Sequence, residues 1–134
     1  MSVLPVQGYL LDTHAVICAV ARSSALSADA RRAIAGGPNL ISVVTYWEVI
    51  LNSTKGAIDV GDPRLWWRDV LEQLAASALP LRPAHVSAVY GLPSIHKDPF
   101  HRLLIAQAVA EGLTLVSLNA EIAQYASADL RVIR

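Results

Sequence analysis

Short apolar runs separated by segments of helical spacing dominate the pattern of the chain. Glycine, proline and aspartate bound these runs, and a continuous apolar run of a few residues is typical of a strand buried on both sides. The predicted strands are residues 9–11, 39–43, 79–81, 113–117 and 130–133.

The segments between these strands carry helix start and stop signals. Ser27 is a suitable N-cap, and the pairs Asp62-Pro63 and Asp98-Pro99 place a capping side chain before a proline at the first helical position. The predicted helices are residues 15–21, 28–35, 45–55, 64–78, 84–90 and 120–125, together with a segment that starts at Pro99 and ends near Gly112.

The alternation of apolar strands and helices predicts an α/β fold. Strands without polar alternation favour a parallel sheet covered on both faces, which is a three-layer α/β/α sandwich. We expect one domain over residues 1–134, because no linker, repeat or low-complexity tract interrupts the pattern. The runs after Gly8, Pro38 and Gly112 should be adjacent parallel strands.

Composition limits the possible partners. Hydrophobic residues make up 54% of the chain and charged residues 16%, which excludes a disordered chain and suggests that part of the apolar surface is covered by a partner. Trp47, Trp66 and Trp67 are the candidates for that surface. Eleven basic residues balance eleven acidic ones, so net charge does not drive binding to nucleic acid or membranes.

Location is also constrained by the sequence. No apolar stretch reaches the length of about 18 residues that a membrane-spanning helix requires, so we expect no membrane association. No Lys or Arg precedes Arg22, and Cys18 has no partner for a disulfide. A reducing cytoplasm is the expected compartment.

Four polar residues follow the predicted strands or lie in the helices after them: Asp12, Glu48, Asp98 and Asn119. Ligands of open parallel sheets bind beyond the carboxyl ends of the strands, so these side chains are candidates for one site. His101 lies three residues after Asp98, on the same helical face. Helix capping is an alternative role for Asp12, Asp98 and Asn119, and a packed, hydrogen-bonded side chain is the alternative for His101.

Carboxylates without accompanying thiolates favour Mg²⁺ or Mn²⁺ as the bound ion. Asp12, Glu48 and Asp98 are the predicted metal ligands, and such a site suits phosphodiester cleavage. The chain has no glycine-rich dinucleotide or phosphate loop, no serine-hydrolase elbow and no paired cysteines. A phosphatase that uses Asp12 alone is a weaker reading, because His14 stands where the second aspartate of its D-x-D motif is needed.

Three segments together resemble the PIN-domain nucleases, and specifically the VapC toxins of VapBC toxin–antitoxin pairs. They are LLDTH at 10–14, WEV at 47–49 and HKDPFHRLLIAQA at 96–108. The resemblance implies a parallel-sheet sandwich, a homodimer, a VapB-like antitoxin that blocks the site, and Mg²⁺- or Mn²⁺-dependent cleavage of RNA. Asp12, Glu48 and Asp98 match the family acids.

The family pattern is broken at two positions, where His101 and Asn119 stand in place of acids. Two interpretations follow. The first is an active endoribonuclease that uses Asp12, Glu48 and Asp98 with support from His101 and Asn119. The second is a catalytically weakened or inactive PIN-fold binding protein that dimerises and binds an antitoxin-like partner or RNA. The loss of two charges weakens a hard-metal site, and Mn²⁺ tolerates an imidazole better than Mg²⁺ does.

Basic residues near these motifs are candidates for contacts with substrate phosphates, and they are Lys55, Lys97 and Arg102.

Overall fold

A five-stranded sheet forms the centre of the protein, and all its neighbouring strands run parallel. The computed structural model describes residues 8–134. The strands are β1 (Tyr9–Leu11), β2 (Asn39–Ser42), β3 (Ala76–Leu79), β4 (Thr114–Val116) and β5 (Val132–Ile133). Their order across the sheet is β3-β2-β1-β4-β5. The runs after Gly8, Pro38 and Gly112 are therefore adjacent parallel strands, which confirms the prediction.

Helices cover both faces of this sheet. Within residues 8–134 they are α1 (Thr13–Val20), α2 (Ala28–Gly36), α3 (Val43–Thr54), α4 (Pro63–Gln73), α5 (Pro83–Val89), α6 (Pro99–Glu111) and α7 (Ala120–Ala123). The predicted three-layer α/β/α sandwich is confirmed.

Alternate residues of the central strands supply two separate cores. Leu10 and Leu115 face one core together with residues of α6 and α7, whereas Leu11 and Val116 face the other together with residues of α1, α2 and α4. All four side chains are fully buried. The sheet is thus apolar on both faces, which explains why its strands show no polar alternation.

Three of the predicted helix starts agree with the structure. Ser27 caps α2 through a hydrogen bond from the Ala30 amide, and Asp62 and Asp98 cap α4 and α6 ahead of their prolines. Each capping oxygen satisfies an amide that has no partner within its helix.

The start of α3 differs from the prediction. This helix begins at Val43 rather than at residue 45, and the preceding strand ends at Ser42. The reason is that the Ser42 hydroxyl accepts a hydrogen bond from the Val44 amide at 3.0 Å, so that Ser42 is the N-cap. Likewise, α1 begins at Thr13 because the Asp12 side chain caps it.

The boundary between α4 and β3 was predicted wrongly. The helix ends at Gln73 rather than at residue 78, and the strand covers Ala76–Leu79 rather than residues 79–81. Ala75 has a positive φ of 47°, which ends the helix without a glycine. The strand after it then pairs with β2.

Aromatic side chains lie on the helices that cover the sheet. The Tyr46 and Trp67 rings are stacked at 4.7 Å, and Trp66 and Trp67 are partly buried against the core below α4. Trp47 packs edge-on against Phe100 at 4.9 Å and remains 51% exposed. Among the helices of residues 8–134, none has the length and apolar character that a membrane crossing requires.

Candidate active site

Three of the predicted site residues follow neighbouring strands of the sheet, and Asp98 reaches them from the start of α6. Asp12 comes directly after β1, Asn119 follows β4 and Glu48 lies in α3, the helix that starts at the end of β2. Because β2, β1 and β4 are adjacent and parallel, their carboxyl ends meet at one edge. Asp98 precedes α6, which packs against α3. The fold therefore gathers these residues at the sheet edge where ligands of such folds bind.

Asp12 is a buried carboxylate with only 2% of its surface exposed. Its Oδ1 atom accepts a hydrogen bond from the Ala15 amide at 2.8 Å. Burial raises the pKa of Asp12 above its ordinary value, although the Ser117 hydroxyl, the Ala15 amide and the nearby imidazoles act in the opposite direction. Asp12 is both an N-cap and a carboxylate whose charge is poorly compensated.

Glu48 is held by a hydroxyl from the neighbouring helix α1. Thr13 donates from Oγ1 to Oε1 of Glu48, and the same Oγ1 lies 3.4 Å from the Thr45 hydroxyl. Glu48 is partly buried and faces inward rather than lying on the solvent face of α3. Thr13 and Thr45 are contributors that the sequence analysis missed, although each stands near a predicted acid.

Asp98 divides its two oxygens between two tasks. Oδ1 caps α6 through the amides of Phe100 and His101, at 2.8 Å and 3.4 Å. Oδ2 lies 3.8 Å from Nδ1 of His101. Capping and site formation are therefore compatible in this residue.

The described part of the chain brings together Glu48, Asp98 and His101 as a possible metal-binding group. One ligand atom from each lies within 4.8 Å of the others. Asp12, the third predicted ligand, does not belong to this group of closely spaced atoms. His101, predicted only in a supporting role, takes that place.

Two further residues lie beside this group and were missed by the sequence analysis: His96 contacts His101, and Glu121 contacts His96. His96 lies 2.8 Å from His101, measured from Nε2 to Nδ1, and Glu121 lies 3.4 Å from the same Nε2 atom. His96 belongs to the predicted HKDPFHR segment, but its role depends on a turn that sequence spacing alone does not specify.

Asn119 is used as the N-cap of α7. Its Oδ1 atom accepts hydrogen bonds from the Glu121 and Ile122 amides, at 2.8 Å and 3.0 Å. The capping alternative thus describes what its side chain does in this structure.

The three basic candidates have different environments. Lys55 and Lys97 are exposed. Arg102 instead donates from its Nη atoms to the carbonyl oxygens of Val89 and Pro93 and to the Tyr125 hydroxyl. These bonds give Arg102 a role in holding the segment before α6, whereas its contact with phosphate stays a prediction.

An open cavity of 340 Å³ adjoins the group. Thr13, Glu48 and His101 line it together with His14 and Asn52. The inward-facing acid and imidazole are therefore accessible to a ligand from solvent.

Comparison with known protein families gives one clear result. The family model of the PIN domain matches residues 9–128 of the chain. Comparison with curated proteins gives no significant match.

Solved structures with a similar fold include three from bacteria. The crystal structure of VapBC2 from Rickettsia felis bound to a DNA fragment from their promoter has a TM-score of 0.66 and 14% identity, covering 94% of this chain and 98% of that chain. A toxin–antitoxin complex from Klebsiella pneumoniae has a TM-score of 0.60 and 18% identity, with coverages of 91% and 94%. FitAcB from Neisseria gonorrhoeae has a TM-score of 0.57 and 20% identity, with coverages of 94% and 96%.

Proposed function

The chain belongs to the PIN domain family, and on that premise we propose that it is a metal-dependent endoribonuclease, the toxin of a toxin–antitoxin pair. The observation that carries this proposal is that Glu48, Asp98 and His101 each place one ligand atom within 4.8 Å of the others. A nuclease of this type needs converging ligands beside an open surface, and the adjoining cavity provides that surface.

The donor atoms fit a divalent cation. Two carboxylates and one imidazole, with no thiolate, suit a dication that accepts both oxygen and nitrogen ligands. The burial that raises the pKa of Asp12 supports the same conclusion, because a nearby cation offsets the cost of a buried negative charge. When bound, the ion supplies charge neutralisation at a phosphodiester and lowers the pKa of an attacking water.

The residues of the chain have separate tasks in this proposal. Glu48, Asp98 and His101 hold the ion, with Asp12 supplying a further negative charge next to them. Thr13 orients Glu48 through its hydroxyl. Lys55 and Lys97 are exposed and contact phosphates of the RNA. Asn119 supports the edge as a cap rather than as a ligand.

An antitoxin and a second copy of the chain are the proposed protein partners. The similar structures include VapBC2 and a toxin–antitoxin complex, which supports an antitoxin that covers the site. The exposed Trp47 ring lies against Phe100, close to the start of α6. Apolar surface of this kind suits a protein interface.

RNA cleavage by the purified protein tests the proposal. We expect cleavage with Mn²⁺, and its loss in Asp98→Asn and Glu48→Gln, because each change removes a charged ligand. Asp62→Asn is the matched control, since Asp62 caps α4 before a proline in the same way but lies outside the site. Cleavage by Asp98→Asn at the parent rate would contradict the assigned site.

Restoring the family acid provides a second test. His101→Asp should strengthen Mg²⁺ binding and raise Mg²⁺-dependent cleavage, because Mg²⁺ prefers oxygen ligands. An unchanged metal preference in this variant would argue against His101 as a ligand.

A PIN-fold binding protein without catalytic activity is the alternative function. Two observations favour it: Nδ1 of His101 is engaged by His96, and the Asn119 side chain is engaged as a cap. This alternative predicts no RNA cleavage by the parent with either Mg²⁺ or Mn²⁺. It further predicts that His101→Asp combined with Asn119→Asp creates the activity.

A further inference from the structure

Two histidines beside the proposed metal site form a direct hydrogen bond. Nε2 of His96 and Nδ1 of His101 are 2.8 Å apart, and the two rings meet nearly edge to face at 79°. The His96 side chain is 12% exposed and the His101 side chain 19% exposed. A bond this short between imidazoles requires that one nitrogen donates and the other accepts.

The backbone decides which nitrogen donates. The Asp98 amide donates to Nδ1 of His96 at 3.0 Å, and an amide N–H has no acceptor role. Nδ1 of neutral His96 therefore carries the lone pair, and its proton is on Nε2. That Nε2–H group faces Nδ1 of His101, which must accept, so the proton of neutral His101 is on its own Nε2.

This arrangement leaves His101 without a free lone pair for a metal. Imidazole binds a metal through an unprotonated nitrogen. Nδ1 of His101 accepts the His96 proton and Nε2 carries the ring's own proton. Binding through Nδ1, which lies 3.8 Å from Oδ2 of Asp98, requires His96 to redirect its N–H group.

Glu121 provides the second acceptor for that group. Its Oε2 atom lies 3.4 Å from Nε2 of His96, and its side chain is 58% exposed, so it has room to move closer. A single N–H group thus lies between two acceptors, Nδ1 of His101 and the Glu121 carboxylate.

We propose that His96 and Glu121 form a two-position switch that decides whether His101 serves as a metal ligand. Without metal, His96 donates to His101. When a nitrogen-binding dication such as Zn²⁺ binds, His96 donates to Glu121 and releases Nδ1 of His101. His96 and Glu121 are positioning residues in this inference, which rests on the metal site of the proposed function. The imidazole of His101, once released, gives the site a preference for such ions over Mg²⁺.

Metal binding by titration calorimetry tests the switch, with Zn²⁺ and Mg²⁺ added separately. We expect Glu121→Ala to weaken Zn²⁺ binding by about tenfold, the usual effect of losing a residue that orients a ligand, and to change Mg²⁺ binding far less. Glu121→Gln retains an acceptor oxygen and should restore most of the Zn²⁺ affinity. Asp129→Ala, which removes another exposed carboxylate, is the control for charge alone.

Removal of the donor gives the complementary result. In His96→Phe, Nδ1 of His101 has no competing donor, so the additional Glu121→Ala change should have no effect on Zn²⁺ binding. Equal losses of Zn²⁺ and Mg²⁺ affinity in Glu121→Ala would overturn the inference. So would a loss of Zn²⁺ affinity when Glu121→Ala is added to His96→Phe.

Nuclear magnetic resonance of the ring nitrogens provides a readout independent of activity. In the metal-free protein with both rings neutral, we expect protons on Nε2 of both histidines. Zn²⁺ should shift the Nδ1 signal of His101. A proton on Nδ1 of His101 in the metal-free protein would refute the switch. Both measurements omit RNA, so absence of RNA cleavage would refute the proposed function and leave this inference intact.

Discussion

The hydroxyl of Thr13 donates to the carboxylate of Glu48 and thereby joins two helices that start at neighbouring strands. Thr13 is the first residue of α1, and Glu48 lies 35 positions later in α3. The bond holds Oε1 of Glu48 in place and leaves Oε2 available to a ligand. An acid in the middle of an apolar helix is thus oriented before any ligand arrives.

Replacement of this hydroxyl should weaken the metal site without unfolding the protein. In Thr13→Val the side chain keeps its shape but no longer orients Glu48, and we expect metal affinity to fall by about tenfold. Thr13→Ser keeps the hydroxyl and should bind metal like the parent. Calorimetry with Mn²⁺ measures both. Equal affinity in the valine and serine variants would show that Glu48 needs no such support.

Asp12→Asn should stabilise the metal-free protein at neutral pH. Burial raises the pKa of Asp12, so between the ordinary value of 3.8 and the raised value the folded protein holds more protons than the unfolded chain. Stability then falls as the pH rises through that window, and the loss is complete above it. Asparagine can keep the capping oxygen and has no charge, so the variant avoids this loss.

Urea denaturation of Asp12→Asn and the parent across acidic and neutral pH measures that difference. Asp129→Asn, a change at an exposed carboxylate, is the control. We expect the difference in the free energy of unfolding between Asp12→Asn and the parent to grow as the pH rises. A difference that shrinks instead would contradict a raised pKa of Asp12.

Arg102→Met should destabilise the fold. Its Nη atoms bond two carbonyl oxygens and the Tyr125 hydroxyl, and methionine replaces the stem but none of these donors. We expect a loss of about 1–3 kcal/mol in the free energy of unfolding, because the partly buried Val89 carbonyl and Tyr125 hydroxyl lose a charged donor. Arg68→Met, at an exposed position, should change stability little. Unchanged stability together with weaker RNA binding in Arg102→Met would favour the phosphate role instead.

Replacement of Trp47 and replacement of Trp67 should affect different properties of the protein. Trp47→Ala removes a half-exposed ring, so folding should change little while association with an antitoxin or a second copy weakens by about tenfold or more. Trp67→Ala removes a ring stacked on Tyr46 and packed on the core, and should cost about 2–3 kcal/mol of stability. Light scattering and thermal unfolding distinguish the two effects. Association of Trp47→Ala at the parent affinity would place the interface elsewhere.

The parts of the fold that the sequence predicts are those with local signals. The strand before Asp12 and the helix after Asp98-Pro99 are set by apolar runs and by capping chemistry that neighbouring residues supply. The end of α4 has no such signal, because Ala75 adopts a positive φ in place of a glycine. The strand that follows contains alanine and serine, which lack the β-branched character of a typical strand.

Some residues of the candidate site can likewise be predicted from local sequence, and others cannot. Glu48 is recognisable as an acid in an apolar helix that follows a strand, and Asp98 as the acid before Pro99 at a helix start. The contribution of His96 depends on the Asp98 amide in the turn before α6, and that of Glu121 depends on a helix two elements further along the chain. Contacts of this kind arise from tertiary structure, so sequence spacing does not reveal them.

Because β1 lies between β2 and β4, the sheet can be completed only late in the synthesis of the chain. Tyr9 of β1 pairs with Asn39 on one side and with Thr114 on the other. A nascent chain that has emerged from the ribosome only through β2 has one side of β1 unpaired, and it still lacks α6 with Asp98 and His101. Pairing between such distant residues is slow and comes late, as the cost of closing a long loop precedes any gain. During translation there is therefore an interval in which neither the sheet nor the group of Glu48, Asp98 and His101 is complete.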